Sequence, residues 1–225
     1  MYKKENICEI ILLGFTKKPA SSDSIHIEPF LSIDEVFENT VNQYNYSIKT
    51  YTIEPTDFTN RAISTIEYHT NNNLIKNKVS TDSNLFYNKV KYMNKLDDFI
   101  LFSKHYIKYI SSTIINSDIG KASIVELSRC DKNMADIINN LGYKFKSERK
   151  IYGYLWKYKS FPIIGILCQV KKQNDKPNYI LEIRGLCMET EKNKLCQILY
   201  DIKDKLSSQF ILNKKYYFYI SIQVI

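Results

Sequence analysis

The sequence predicts an α+β fold, a predominantly antiparallel, tunnel-like β-barrel with about three helices packed outside it. Three observations carry that expectation. Segments with two-residue alternation outnumber segments with helical spacing. Two long strand-like segments, residues 151–158 and 163–170, are separated by a short break at Ser160-Phe161-Pro162 and read as a hairpin. The helical stretches are few and lie between runs of strands, as in a closed or nearly closed sheet with peripheral helices. Hydrophobic residues make up 44% of the 225-residue chain, enough for a substantial core, and 6 Gly and 5 Pro leave little room for linkers. One domain over residues 1–225 is the resulting expectation.

In chain order, residues 7–15 form a strongly apolar first strand. Ser32-Ile33-Asp34-Glu35 is a capping box, and Leu31 and Val36 are placed to staple it. Ile33, Val36, Phe37, Val41 and Tyr44 then give a buried stripe for a helix over about 32–44. Strands follow at 46–53, 62–69, 85–93, 100–110 and 123–127. Residues 70–78, with Asn71, Asn72 and Asn73 in succession, read as a solvated Asn-rich loop. Asp131 is a suitable N-cap for a helix over 131–141, along which Met134, Ile137, Ile138 and Leu141 recur at three-and-four spacing. Gly142 stands where a left-handed residue ends a helix.

Beyond that helix the hairpin begins. Tyr152, Tyr154, Trp156 and Tyr158 fall on one strand face, and Ile151, Gly153 and Leu155 on the other. Residues 163–170 are apolar on both faces except for Gln169, which suits a strand covered on both sides. Residues 179–186 form a strand with Leu181 and Ile183 on a buried side and Glu182 and Arg184 on a polar one. A helix over 190–207 has Leu195, Ile198, Leu199, Ile202 and Leu206 as its stripe. Glu189 and Glu191 suit its N-terminal dipole, and Lys203 and Lys205 its C-terminal end. The tail, residues 216–225, is a dense run of β-formers suited to closing a sheet or meeting a partner.

The chemistry-bearing residues point away from catalysis. There is no nucleophile elbow and no Walker loop. His26, His69 and His105 are far apart and read as structural. Glu189-Thr190-Glu191 has the spacing of a cation-binding carboxylate pair, but at a helix start it reads as capping charge. The 5 cysteines, Cys8, Cys130, Cys168, Cys187 and Cys196, form no CxxC or CxH pair. They imply free thiols in a reducing compartment and no zinc site. No metal and no cofactor is expected. Lys3 and Lys4 precede a short apolar run that Glu9 interrupts, so the N-terminus reads as neither leader nor membrane span. The formal charge of +8 comes from lysines interleaved with acids, as in Glu148-Arg149-Lys150, which reads as a solvated basic surface rather than a nucleic-acid interface.

Asn139-Asn140-Leu141-Gly142-Tyr143-Lys144-Phe145, at the end of a short helix, resembles the helix-end pattern of the Mediator complex subunit 18 family. The basic-aromatic strand Lys150-Ile151-Tyr152-Gly153-Tyr154-Leu155-Trp156, the apolar strand 163–171, Tyr179-Ile180-Leu181-Glu182-Ile183 and the long amphipathic helix follow in that family's order. The first strand, Ile10-Ile11-Leu12-Leu13-Gly14-Phe15, looks like its opening strand. The resemblance covers the C-terminal half well and the N-terminus loosely.

It implies a nuclear, non-catalytic scaffold in the head module of the RNA polymerase II Mediator, a transcription coregulator acting through protein–protein contacts. The partners it implies are the Mediator subunit 20 barrel and a helix of subunit 8, with no membrane and no direct nucleic acid. Tyr152, Tyr154, Trp156 and Tyr158 on the aromatic strand, and Tyr217 and Tyr219 in the tail, are the candidate partner-binding residues. Two alternatives stand beside it. One is a metal-dependent RNA triphosphatase-like tunnel enzyme, which needs inward-facing Glu-x-Glu strands and a basic lining. The other is a basic RNA-binding accessory protein, whose affinity would fall steeply with salt.

Overall fold

Eight strands form a ring because the first strand pairs on both sides. The computed structural model describes residues 6–17, 33–53, 64–72, 103–115, 117–158, 161–170 and 178–212. The strands are β1 (Ile7–Thr16), β2 (Glu38–Ile53), β3 (Ser64–Asn71), β4 (His105–Ile115), β5 (Lys121–Arg129), β6 (Lys144–Lys157), β7 (Ile163–Val170), β8 (Asn178–Met188) and β9 (Phe210–Leu212). The helices are α1 (Met134–Asn140) and α2 (Lys192–Leu206), the latter entered through a 3-10 turn at Glu189–Glu191. The sheet runs β5-β4-β3-β2-β6-β7-β8-β1-β9, every pairing among these strands is antiparallel, and β1 also pairs with β5. Ile7 meets Met188 on one side and Val125 on the other, which closes the sheet on itself.

Alternation then assigns an inner and an outer face to each strand. Tyr46 and Ile48 of β2, Tyr106 of β4, Val125 of β5, Ile151 and Leu155 of β6, Ile164 and Ile166 of β7 and Leu186 of β8 pack together inside the ring. Cys8, Ile10 and Leu12 of β1 and Leu181, Ile183 and Cys187 of β8 point outward. There they meet Leu195, Leu199, Ile202 and Leu206 of α2. A second outer layer places Ile138 of α1 over Tyr51, Ile66 and Tyr68.

Contact between α2 and the ring is close because β8 has no side chain at Gly185. A Cβ there would lie 2.5 Å from a Leu195 methyl and 3.2 Å from its Cγ. Gly142 follows α1 with φ +87°, the left-handed geometry expected of it, where L side chains are strained.

The structure corrects several sequence-based expectations. The expected helix over 32–44 is a helical turn at residues 33–36, and Val41 and Tyr44 belong to β2. Register shifts between Glu38 and Thr40 and between Val41 and Tyr44 explain the misreading, because a bulge stretches strand spacing from two residues to three. Two helices, not three, are therefore present among the described residues. Asp131 caps nothing with its side chain: the helix starts at Met134 after Asn133, which makes no side-chain cap bond. Thr70 and Asn71, expected in the Asn-rich loop, are the last residues of β3.

Both faces of β8 are buried, so the side carrying Glu182 and Arg184 faces the interior rather than solvent. The short strand β9, which pairs with Gly14, Phe15 and Thr16, was not foreseen. The expected strand at 85–93 and the tail at 216–225 lie outside the described residues.

Gly185→Ala is expected to destabilise the fold by roughly 1–3 kcal/mol, the usual cost of overpacking. Urea unfolding of Gly185→Ala, Leu195→Ala and the double variant checks it. The double variant should lose less than the two single losses combined, and strict additivity would mean that the added methyl group does not collide with Leu195.

Candidate functional site

The ring interior holds a cluster of ionisable side chains brought there by five strands. β1 contributes Glu9, β3 Glu67 and His69, β4 Lys108, β6 Arg149, and β8 Glu182 and Arg184. Two of their contacts skip a strand, as inward-pointing side chains can. The Lys108 ammonium on β4 lies 2.9 Å from Glu9 on β1, past β5, and 2.6 Å from Glu67 on the neighbouring strand. Arg149 on β6 donates to Glu182 on β8 at 2.9 Å, past β7. Arg184 donates to the other oxygen of Glu182.

A hydrogen-bonded relay leads into this cluster. His69 Nε2 lies 3.0 Å from Glu67, its Nδ1 contacts the Tyr46 hydroxyl, and Tyr46 contacts the Tyr106 hydroxyl. The His69 and Tyr106 rings stack with centroids 4.3 Å apart. A neutral His69 satisfies the chain: Tyr106 donates to Tyr46, Tyr46 donates to Nδ1, and Nε2–H donates to Glu67.

Burial and pairing set the protonation states. Burial lowers His69 to about 3 despite the neighbouring Glu67. It pushes Tyr106 up to about 12. Burial would raise Glu67, but the Lys108 ammonium and the His69 hydrogen bond outweigh it and hold the carboxyl well below its usual range. Glu182 is likewise held at about 2 by Arg149 and Arg184 against burial. Burial would lower Arg184, yet Glu182 and Glu9 keep it well above its ordinary value. The cluster thus brings three acidic side chains, Glu9, Glu67 and Glu182, against three basic ones, Lys108, Arg149 and Arg184, beside a neutral imidazole. No group of His, Cys, Asp and Glu side chains among the described residues has the geometry to hold a metal ion.

The expected partner-binding residues are distributed differently. On the outer face of β6, Tyr152 is 58% exposed, Tyr154 is half-buried and Trp156 is buried, and Tyr158, just past the strand's end, is half-buried. The Trp156 indole donates to Asp34 at 2.7 Å, and Tyr158 meets Phe37 edge-to-face. The strand therefore splits into an exposed end at Tyr152 and a covered end at Trp156. Tyr217 and Tyr219 lie outside the described residues. Glu189 and Glu191 sit on the 3-10 turn, where Glu189 accepts from Asn6 at 3.0 Å.

Sequence reasoning missed the interior cluster. Its signal was a charge inside otherwise apolar strand sequence, as at Glu9 between Cys8 and Ile10, and the two-residue spacings Glu67-x-His69, Tyr106-x-Lys108 and Glu182-x-Arg184.

No protein-family model matches the chain, and no curated protein matches it significantly. Solved structures do. A chain in the structure of the Schizosaccharomyces pombe Mediator head module is similar at TM-score 0.53 and 14% identity, over 92% of this chain and 98% of that one. A protein from Pyrococcus horikoshii matches at TM-score 0.48 and 15% identity, over 90% and 93% of the two chains. A conserved hypothetical protein from Pyrococcus furiosus matches at 0.46 and 12%, over 88% and 90%. The chain thus has a fold like that of a Mediator head-module chain. No helix among the described residues is long and apolar enough to cross a membrane.

Two measurements follow. Because the folded pKa of His69 is lowered, the unfolded chain takes up a proton below about pH 6.5 that the folded chain refuses until about pH 3. Stability attributable to His69 should therefore fall by about 2 kcal/mol between pH 7 and 5, at about 1.4 kcal/mol per pH unit below its unfolded value. Urea midpoints across that range should drop less steeply for His69→Gln; parallel profiles would mean that His69 is not held neutral. Trp156→Ala should cost roughly 3–5 kcal/mol, as large-to-small core changes do. Circular-dichroism melts report it, and a loss below about 1 kcal/mol, within the ordinary range of surface changes, would place the ring outside the core.

Proposed function

We propose that the chain is a non-catalytic scaffold subunit of a Mediator-like nuclear complex, a transcription coregulator that works by being held between protein partners. The observation that carries this reading is the near full-length likeness, in both directions, to a chain of the S. pombe Mediator head module. The order of motifs from Leu141-Gly142-Tyr143 to α2 supports the finer assignment to subunit 18, with a subunit 20 barrel and a helix of subunit 8 as partners. Exposed apolar side chains on the outer surface are the natural contacts. Ile137 and Leu141 at α1 and Phe145 and Tyr152 on β6 are more than a third exposed.

The tunnel triphosphatase remains the competing reading, and one observation favours it: charged side chains do line the ring. What weighs against it is how they are arranged. On β1 the inward neighbours of Glu9 are Ile7 and Ile11, and on β8 the inward neighbour of Glu182 is Arg184, so neither strand supplies Glu-x-Glu. The acids are engaged by Lys108, Arg149 and Arg184.

Affinity capture of the tagged full chain from native cells, with identification of what co-purifies, tests the proposal. RNA polymerase II coactivator subunits are the expected company. A stable complex holding no transcription protein would overturn the scaffold reading. So would triphosphate hydrolysis with magnesium or manganese that is lost in Glu9→Gln.

A further inference from the structure

Two thiols face each other on the side of the sheet that α2 covers. Cys8 on β1 and Cys187 on β8 are direct partners in the strand register, and both are free and fully buried. Directly opposed residues of antiparallel strands have Cα atoms about 4.5–5.5 Å apart. A disulfide needs about 4.4–6.8 Å. The pair therefore has the backbone separation of a bridge without any movement of the strands. The two thiols also influence each other directly across this pairing.

The surroundings differentiate the two sulfurs. A side-chain hydrogen bond with Cys187 and, more weakly, the Lys192 ammonium lower Cys8 against the effect of burial. The same bond and burial raise Cys187. Leu195 and Leu199 of α2 belong to the same buried cluster, and Cys196 packs against its margin.

We propose that Cys8 and Cys187 form a reversible oxidation site, a dithiol that a small disulfide of the glutathione class converts into a cross-strand bridge beneath α2. One of the two cysteines, as its thiolate, attacks one sulfur of the small disulfide, giving a mixed disulfide and expelling one small thiolate. The other then loses its proton and attacks the sulfur of the first, expelling the second small thiolate. One small disulfide becomes two small thiols, while two protein thiols become one protein disulfide. Because α2 shields both sulfurs, the rate follows how often that helix lifts from β8.

The test treats the full chain with oxidised glutathione, blocks remaining thiols by alkylation in acid, and maps the peptides without reduction. The expected product is a Cys8–Cys187 linked peptide, formed with release of two glutathione molecules per chain and reversed by dithiothreitol. The oxidised chain should unfold at a higher urea midpoint, and Leu199→Ala should speed bridge formation several-fold by loosening α2. A Cys187–Cys196 linkage, glutathione retained only on Cys130 or Cys196, or Cys8 and Cys187 still alkylatable after prolonged exposure would each overturn the proposal.

Discussion

Two bridging ions hold the inside of the ring together. Lys108 stands between Glu9 and Glu67, and Glu182 stands between Arg149 and Arg184. Taking a single ion out of water costs several kcal/mol, so none of these groups is tolerable inside without its counterpart. The Lys108–Glu9 and Arg149–Glu182 pairs join strands that are not neighbours in the sheet, and each is satisfied in only one register. A one-residue slip of β8 would turn Glu182 and Arg184 outward and bring Leu181 and Ile183 in. The cluster's contribution is therefore best read as specificity of strand pairing, with its net stabilisation small.

The outer layers depend on that register as well. Gly185 faces α2 only because Arg184 faces in, and Leu195 fills the space that Gly185 leaves. The same alternation puts Cys8 opposite Cys187 under the helix, and Trp156 where its indole reaches Asp34 at 2.7 Å. On the opposite flank α1 covers Tyr51, Ile66 and Tyr68 with Ile138 and leaves Ile137 and Leu141 outside.

Elements with one clean period were legible from sequence. The stripe of α2, the β6–β7 hairpin, the first strand and the left-handed Gly142 each depend on local spacing and were found, although β6 begins at Lys144, well before the expected residue 151. Failures arose where the local signal was shared by two structures. Val41 and Tyr44 are three apart in a helix pattern and also three apart across a bulged strand. Asp131 has N-cap chemistry but lies three residues before Met134, where the helix starts. The interior cluster was illegible for another reason. Alternation separates Glu182 from Leu181, yet it cannot say which face meets water once a sheet closes. That decision rests on the β1–β5 pairing, a contact between segments more than a hundred residues apart.

Closure also bears on what the interior can do. A lining built to seize a polyanion needs cations in excess, so that the ligand replaces water rather than a carboxylate. Here, among the described residues of the cluster, Glu9, Glu67 and Glu182 match Lys108, Arg149 and Arg184, and His69 adds no charge. An entering anion would have to break a bridge, exposing a buried carboxylate to a cost that its own contacts must first repay. The outer surface carries no such penalty. Tyr152 and Phe145 are already half in water, and covering them releases that water without disturbing the ring. The energetics therefore favour recognition on the outside of a ring whose inside is occupied with holding itself closed.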